Sequence, residues 1–241
     1  YDIVDIEAAR ERGVWVANVP DYGTEEVASH ALSMVLCLLR HLPLYDRDVK
    51  TGHWHANSTG PLYRLKNLTL GVVGLGRIGG TLARRAHPWF GRALGYDPYL
   101  DDAWPEGVEQ ASLEGVFTES MVVSLHPPLT EETTGFIGRD LLERMPDGSY
   151  LVNTARGGLV VMEDLLWALD DGPLAGAGLD VLPQEPPPPD HPLLNNPNVT
   201  LTPHAAFYSV EAQEEVRRKA AQNVVSWARD GRPLWPLVEG R

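Results

Sequence analysis

Cysteine is almost absent from this 241-residue chain: its one thiol, Cys37, lies in an apolar helical run and has no partner for an internal disulfide. That excludes a small disulfide-framed scaffold and fits a reducing, cytoplasmic setting. Long apolar runs are missing too. The longest, Ala31 to Leu39, falls well short of the roughly 20 residues a membrane helix needs, and no signal-peptide pattern is present. Positive charge is scarce: 20 Lys and Arg stand against 33 Asp and Glu, a net charge of −13. Such a chain is repelled by phosphate backbones and anionic membranes, so neither nucleic acid nor a membrane is expected as a partner. Metal-ligand clustering is equally thin. His53 and His55 form a His-x-His pair with no cysteine or acidic ligand beside them, which reads as a surface loop. An initiator methionine is lacking before Tyr1, which allows for a longer translated product.

The length leaves room for one large or two modest domains, with ample core either way. The most informative stretch runs from Leu68 to Pro98. A short apolar, β-branched run, Leu70 to Val73, reads as a buried parallel strand and leads directly into Gly74-Leu75-Gly76-Arg77-Ile78-Gly79. A helix-permissive segment follows. Gly74 suits a tight strand-to-helix turn, Gly76 lets backbone N–H groups approach a pyrophosphate, and Gly79 lets the helix pack close to the strand. The unpaired N–H groups at the helix start favour phosphate charge. About twenty residues on, Asp97 ends the next apolar run, where a carboxylate accepts hydrogen bonds from ribose hydroxyls. Together these point to a dinucleotide site.

Elsewhere strand and helix patterns alternate, the signature of an α/β, doubly wound parallel sheet of Rossmann type. Asp5 to Arg12 is helix-prone with Gly13 as C-cap, and Val14 to Val19 reads as a strand. Thr24, followed by Glu25 and Glu26, caps a helix running to about His41. That helix is apolar nearly all round, so both its faces are expected to be covered, by the monomer core or by a subunit interface. Tyr45 to Arg64 shows little periodicity. Later strands are expected at Met121 to Leu125, Tyr150 to Asn153, Ala175 to Val181 and Val199 to Leu201, with helices at Ser112 to Phe117, Arg139 to Met145, Glu163 to Leu169 and Ser209 to Asp230. Ligands bind such sheets at the carboxyl ends of the strands, which singles out Asp97, His126, Arg156, Asp180 and His204. Arg156 offers a planar fork for a carboxylate, while Glu185 opens a proline-rich loop.

Several separated segments resemble the D-isomer-specific 2-hydroxyacid dehydrogenases, a family that includes phosphoglycerate dehydrogenase and the C-terminal-binding proteins. They are Asn18-Val19-Pro20, the glycine fingerprint with Tyr96-Asp97-Pro98, Leu125-His126 through Leu129-Thr130, and Val152-Asn153-Thr154-Ala155-Arg156-Gly157-Gly158. Leu179-Asp180-Val181 with Glu185-Pro186 and Thr202-Pro203-His204-Ala205-Ala206 complete the set. The resemblance implies NAD as cofactor and a small 2-hydroxy or 2-keto acid as substrate. It implies Arg156 for the substrate carboxylate, His204 as proton donor or acceptor, and Glu185 paired with His204. Lining the cofactor would be Gly74, Gly76, Arg77, Ile78, Gly79, Asp97, His126, Pro127, Thr133, Thr154, Ala155, Arg156, Asp180, His204 and Phe207.

The segments around Asp97 and His204 sit nearest the C-terminal-binding branch, which carries tryptophan where this chain has Phe207. Two functions of different class follow: a dehydrogenase, or an NADH-sensing interaction protein with little turnover. The implied organisation is a remnant of a flavodoxin-like substrate domain at 1–20, an NAD-binding domain at 21–206, and a C-terminal helix at 207–241 returning to the first. Family members begin with a further substrate-side segment, so this second domain is expected to be incomplete. A homodimer burying the Thr24 to His41 helix is expected as well.

Overall fold

The computed structural model describes residues 4–101 and 104–240; the first three residues of the expected 1–20 domain lie outside the described residues. In chain order the elements are α1 (Ile6–Arg12), β1 (Val16–Ala17), α2 (Thr24–Leu39), α3 (Leu42–Lys50), β2 (Thr69–Val73), α4 (Arg77–Ala86), β3 (Arg92–Tyr96), β4 (Glu109–Gln110), α5 (Leu113–Glu119), β5 (Val122–Leu125), α6 (Arg139–Leu142), β6 (Ser149–Asn153), α7 (Met162–Asp170), β7 (Leu174–Leu179), β8 (Val199–Leu201), α8 (Val210–Asp230) and β9 (Pro236–Val238). They fall into two compact units. One comprises the described residues up to Glu26 with those from Phe207 onward, and the other is Val27–Ala206.

The larger unit is built on a seven-stranded, wholly parallel sheet in the order β4-β3-β2-β5-β6-β7-β8. Side chains alternate across each strand, so one sequence feeds two cores. From β2, β5 and β6, the side chains of Leu70, Val72, Val122 and Val152 enter a cluster with α2 and α4. Val73, Val123, Leu125 and Leu151 enter the other, with α5, α6 and α7. Covering on both faces is what a purely parallel sheet requires.

Helix α2 is buried in its own monomer at Val27, Ala28, Ala31, Met34, Val35, Leu38 and Leu39. It lies so close to β7 that a Cβ on Gly178 would stand 3.1 Å from Met34 Cβ and 3.3 Å from Leu38 Cδ1. The apolar circumference of this helix is therefore largely accounted for by the monomer core. It stops at Leu39 rather than His41, because His41 adopts a left-handed backbone (φ +52°). A new helix, α3, starts at once where the sequence reads as aperiodic. Proline in its first turn is tolerated there, since that N–H has no intrahelical acceptor.

The smaller unit holds α1, capped by Asp5 and Gly13, the long α8, capped by Ser209 and Gly231, and an antiparallel β1–β9 pair. The strand expected over Val14 to Val19 is reduced to Val16–Ala17. Lys219 on α8 lies between Asp21 (2.6 Å) and Glu215 (2.7 Å). No single helix among the described residues is long and apolar enough to cross a membrane.

Candidate active site

Strand order reverses between β3 and β5 on either side of β2, and a crevice opens there at the carboxyl ends. The chain leaves β2 through Gly74 at φ +82°, a conformation that disfavours any side chain. A Cβ there would also meet Pro127 N at 2.7 Å. Three residues into α4, a Cβ on Gly79 would come within 1.9 Å of Gly74 O, so glycine sets the helix-to-turn distance. Gly76, the N-cap of α4, is the reverse case: nothing stands within 4 Å of the Cβ position, and its cap carries no side-chain hydrogen bond. The start of α4 thus presents backbone N–H groups toward open space.

Across the crevice Asp97 closes β3. Its Oδ2 accepts from Leu75 N (2.8 Å) and its Oδ1 from Tyr99 N (3.0 Å), which fixes the carboxylate beside the glycine turn. A cavity of about 870 Å³ joins Gly74, Gly76, Asp97, Pro127 and Thr133. Thr133 hydroxyl donates to Pro128 O (2.7 Å) and holds that loop. At the rim Tyr99 hydroxyl donates to Glu132 (3.1 Å), and that carboxylate raises the phenol's pKa. His126 pairs through Nε2 with Ser124 Oγ (2.9 Å), and burial pushes its pKa down to about 4, so it is neutral at ordinary pH.

A second group of residues gathers at the ends of β6, β7 and β8. Asn153 closes the loop after β6: its Nδ2 donates to Arg156 O (2.8 Å) and its Oδ1 accepts from Ala155 N (3.0 Å). Arg156 Nη1 donates to Ala155 O (2.7 Å). At Gly157 a Cβ would fall 2.0 Å from Leu182 C, so this loop packs directly on the one after β7. From there Glu185 reaches back, with Oε1 accepting from Leu182 N (2.9 Å) and Oε2 lying 2.6 Å from His204 Nδ1. His204 follows β8 and has φ +52°. Its N–H donates to Asp180 O (2.8 Å). The Asp180 carboxylate, 2 % exposed, accepts from Thr202 Oγ1 (2.5 Å), Ala205 N (2.8 Å) and Ala206 N (2.9 Å). A cavity of about 390 Å³ is lined by Asp180, Glu185, Thr202 and His204.

The family model described as "D-isomer specific 2-hydroxyacid dehydrogenase, NAD binding domain" matches residues 32–206. The chain belongs to that family. A glyoxylate reductase of Korarchaeum cryptofilum is 42% identical over 235 residues, covering 95% of this chain and 70% of the relative. A D-3-phosphoglycerate dehydrogenase of Archaeoglobus fulgidus is 40% identical over 230 residues, covering 95% of this chain and 44% of that longer protein. Among solved structures, D-lactate dehydrogenase from Aquifex aeolicus complexed with NAD and lactic acid superposes with a TM-score of 0.89 at 31% identity, over 97% of this chain and 77% of that one. All three are named as reductases or dehydrogenases. Nothing among them supports the NADH-sensing alternative.

NAD is the cofactor of this 2-hydroxyacid dehydrogenase domain, and the residues fit it. The space over Gly76 suits a pyrophosphate, Asp97 is fixed at the ribose end, and Thr154 Oγ1 is buried without a hydrogen-bond partner.

The structure gathers the expected residues unevenly. Gly74, Gly76, Asp97, His126, Pro127 and Thr133 share the crevice around β2, with Gly79 buried behind the turn, while Arg156, Asp180, Glu185 and His204 share the ends of β6 to β8. Arg77 and Ile78 form the first turn of α4. Phe207 belongs to the smaller unit, where its ring meets Tyr22 edge-on at 6.3 Å. His53 and His55 form no metal cluster among the described residues. Two contributors escape the sequence reading, Thr202 and His30. Thr202 opens the segment Thr202-Pro203-His204-Ala205-Ala206 with no role assigned to it there, whereas His30 carries no local signal at all.

Proposed function

We propose that this protein interconverts a small 2-oxo acid and the corresponding D-2-hydroxy acid, with NADH and a proton consumed in the reducing direction. The observation that carries the proposal is the His204–Glu185 pair. An ionised carboxylate can only accept, so Glu185 obliges His204 Nδ1 to carry a hydrogen and assigns proton exchange to Nε2. Glu185 is itself oriented by Leu182 N. This is a base with an orienting carboxylate, the arrangement general acid–base catalysis needs.

NADH, when bound, supplies the hydride, and the protein binds, orients and handles the proton. Arg156 takes the substrate carboxylate through its planar fork and polarises the adjacent oxo group. His204 gives a proton to the oxo oxygen in reduction and removes it in oxidation. Asn153 and Gly157 fix the Arg156 loop against the Leu182 loop, so acid and arginine rest on connected supports. Glyoxylate is the first substrate to try, given the glyoxylate reductase among the relatives. A cytoplasmic homodimer completes the reading.

The decisive test is His204→Gln. Turnover of glyoxylate should fall by about a hundredfold or more, while NADH affinity stays within twofold. Arg156→Lys should act mainly by raising KM, because an ammonium cannot reproduce the fork. Undiminished turnover by His204→Gln would overturn the assignment.

A further inference from the structure

We infer that His30, on α2, is a positioning residue for the histidine turn at the end of β8, acting through Thr202 and Asp180; the inference rests on the acid–base role proposed for His204. His204 is a non-glycine residue held at φ +52°, a backbone region that persists only where surrounding bonds over-determine it. Most of those bonds converge on one residue, with Thr202 O a second acceptor for the His204 N–H (3.0 Å). Asp180 receives the N–H of His204 on its carbonyl and the N–H groups of Ala205 and Ala206 on its carboxylate. The orientation of the Asp180 side chain therefore decides where the turn lies, and with it the imidazole. Ala205 N and Thr202 Oγ1 both bond Oδ1, at 2.8 and 2.5 Å.

Hydrogen counting then brings in His30. A buried ionised carboxylate only accepts, so the Thr202 hydroxyl spends its single hydrogen on Asp180. Thr202 Oγ1 lies 3.0 Å from His30 Nε2 and can only accept from it, which places a hydrogen on that nitrogen. Nε2 is also 3.8 Å from Asp180 Oδ1. The chain of donation is His30 Nε2–H to Thr202 Oγ1–H to Asp180 Oδ1, aligned so that each bond strengthens the next. It ties the turn to α2, a helix anchored on the sheet by seven buried side chains. A rigid element of the core thus supports a loop that must hold an acid–base group to within a few tenths of an ångström.

The test uses the full chain, glyoxylate with NADH, and the variants His30→Ala, His30→Gln, His30→Asn, Thr202→Val and His30→Ala/Thr202→Val, with His204→Ala as reference. His30→Ala should lower kcat about tenfold, the scale of a modest misplacement of a catalytic group. NADH affinity should stay within twofold. Gln places an amide N–H near the position of Nε2 and should recover most of the loss, whereas the shorter Asn should not. Thr202→Val should match His30→Ala, and the double variant should be no worse than either single one, because both cut the same relay. A merely structural His30 would lower the melting temperature without this pattern of kcat loss and Gln rescue. Should His30→Ala fail to fold, the contrast between Gln and Asn decides. Wild-type kcat in His30→Ala or His30→Asn, or multiplicative losses in the double variant, overturns the inference while leaving His204 in place. Retained turnover in His204→Ala instead overturns the acid–base reading itself and removes the inference with it.

Discussion

Replacing glycine by alanine at two positions three residues apart should separate folding from cofactor binding. At position 79 the new Cβ would lie 1.9 Å from Gly74 O, where real contacts stay beyond 3.0 Å, so about 1.1 Å of separation must be found. The turn cannot supply it, because Gly74 N donates to Tyr96 O (2.8 Å) and the Cβ direction of Gly74 is blocked by Pro127 N. Helix α4 must move instead, against Leu82, Ala83 and Ala86, which are fully buried. Overpacking against fixed backbone costs about 3 kcal/mol, and better helix propensity returns about 1 kcal/mol. A net loss of about 2 kcal/mol lowers the melting temperature by roughly 4–8 °C for a domain of this size. NADH binding should weaken at least about tenfold as well, since the N–H groups at the helix start move with it.

At position 76 the same methyl group meets nothing within 4 Å, and the backbone there (φ −60°, ψ −160°) suits alanine. The melting temperature of Gly76→Ala should stay within about 2 °C, the ordinary range for a change without steric consequence. NADH affinity should nevertheless fall about tenfold or more, because the methyl occupies the space the pyrophosphate must enter. Circular-dichroism melts and NADH fluorescence titrations on both variants read the two effects separately. Equal melting temperatures for Gly79→Ala and the parent protein would refute the packing argument. Unchanged NADH affinity in Gly76→Ala would refute the placement of the pyrophosphate.

Asp97, held by Leu75 N and Tyr99 N, should repel a 2′-phosphate and favour NADH over NADPH by at least about tenfold; equal affinities would sink this. The depressed pKa of His126, about 4 against an unfolded value near 6.5, has a defined sign. Between those values the unfolded chain takes up a proton that the folded protein refuses, so stability falls as pH drops from about 6.5 to about 4 and levels off below. The full gap corresponds to about 3 kcal/mol, and the partial exposure of His126 reduces this to about 2 kcal/mol. Denaturant midpoints at pH 7 and 4.5 should show the slope, and His126→Asn should flatten it; an unaltered slope in that variant refutes the assignment. For assembly, Leu42, Val49, Trp54 and Tyr63 remain exposed after α2 is buried, so Trp54→Ser should weaken the proposed homodimer in sedimentation. A strictly monomeric parent protein at micromolar concentration would refute the dimer.

How much of this molecule could be read from its sequence depended on whether the signal was local. The glycine turn declares itself because each glycine answers a constraint within a few residues: φ at Gly74, open space at Gly76, the carbonyl of Gly74 at Gly79. The buried strands β2, β5 and β6 declare themselves because parallel strands covered on both faces are apolar throughout. Where the constraint was tertiary, the pattern misled or fell silent. Helix α2 looks too apolar for one protomer only while its packing is unknown; Gly178 on β7 lets it approach so closely that the monomer covers most of it. Helix α3 hides behind a proline that only its first turn can accommodate. Strands β1 and β9, two and three residues long, are too short to show a period and exist because each pairs with the other. The same distinction divides the site. Arg156, Glu185 and His204 stand in recognisable motifs at strand ends, yet what holds His204 in a left-handed turn is a hydrogen-bond relay that runs through Thr202 to His30, 172 residues before Thr202. A histidine in the middle of an apolar helix gives no sign of its partner until the sheet has brought β8 beside it.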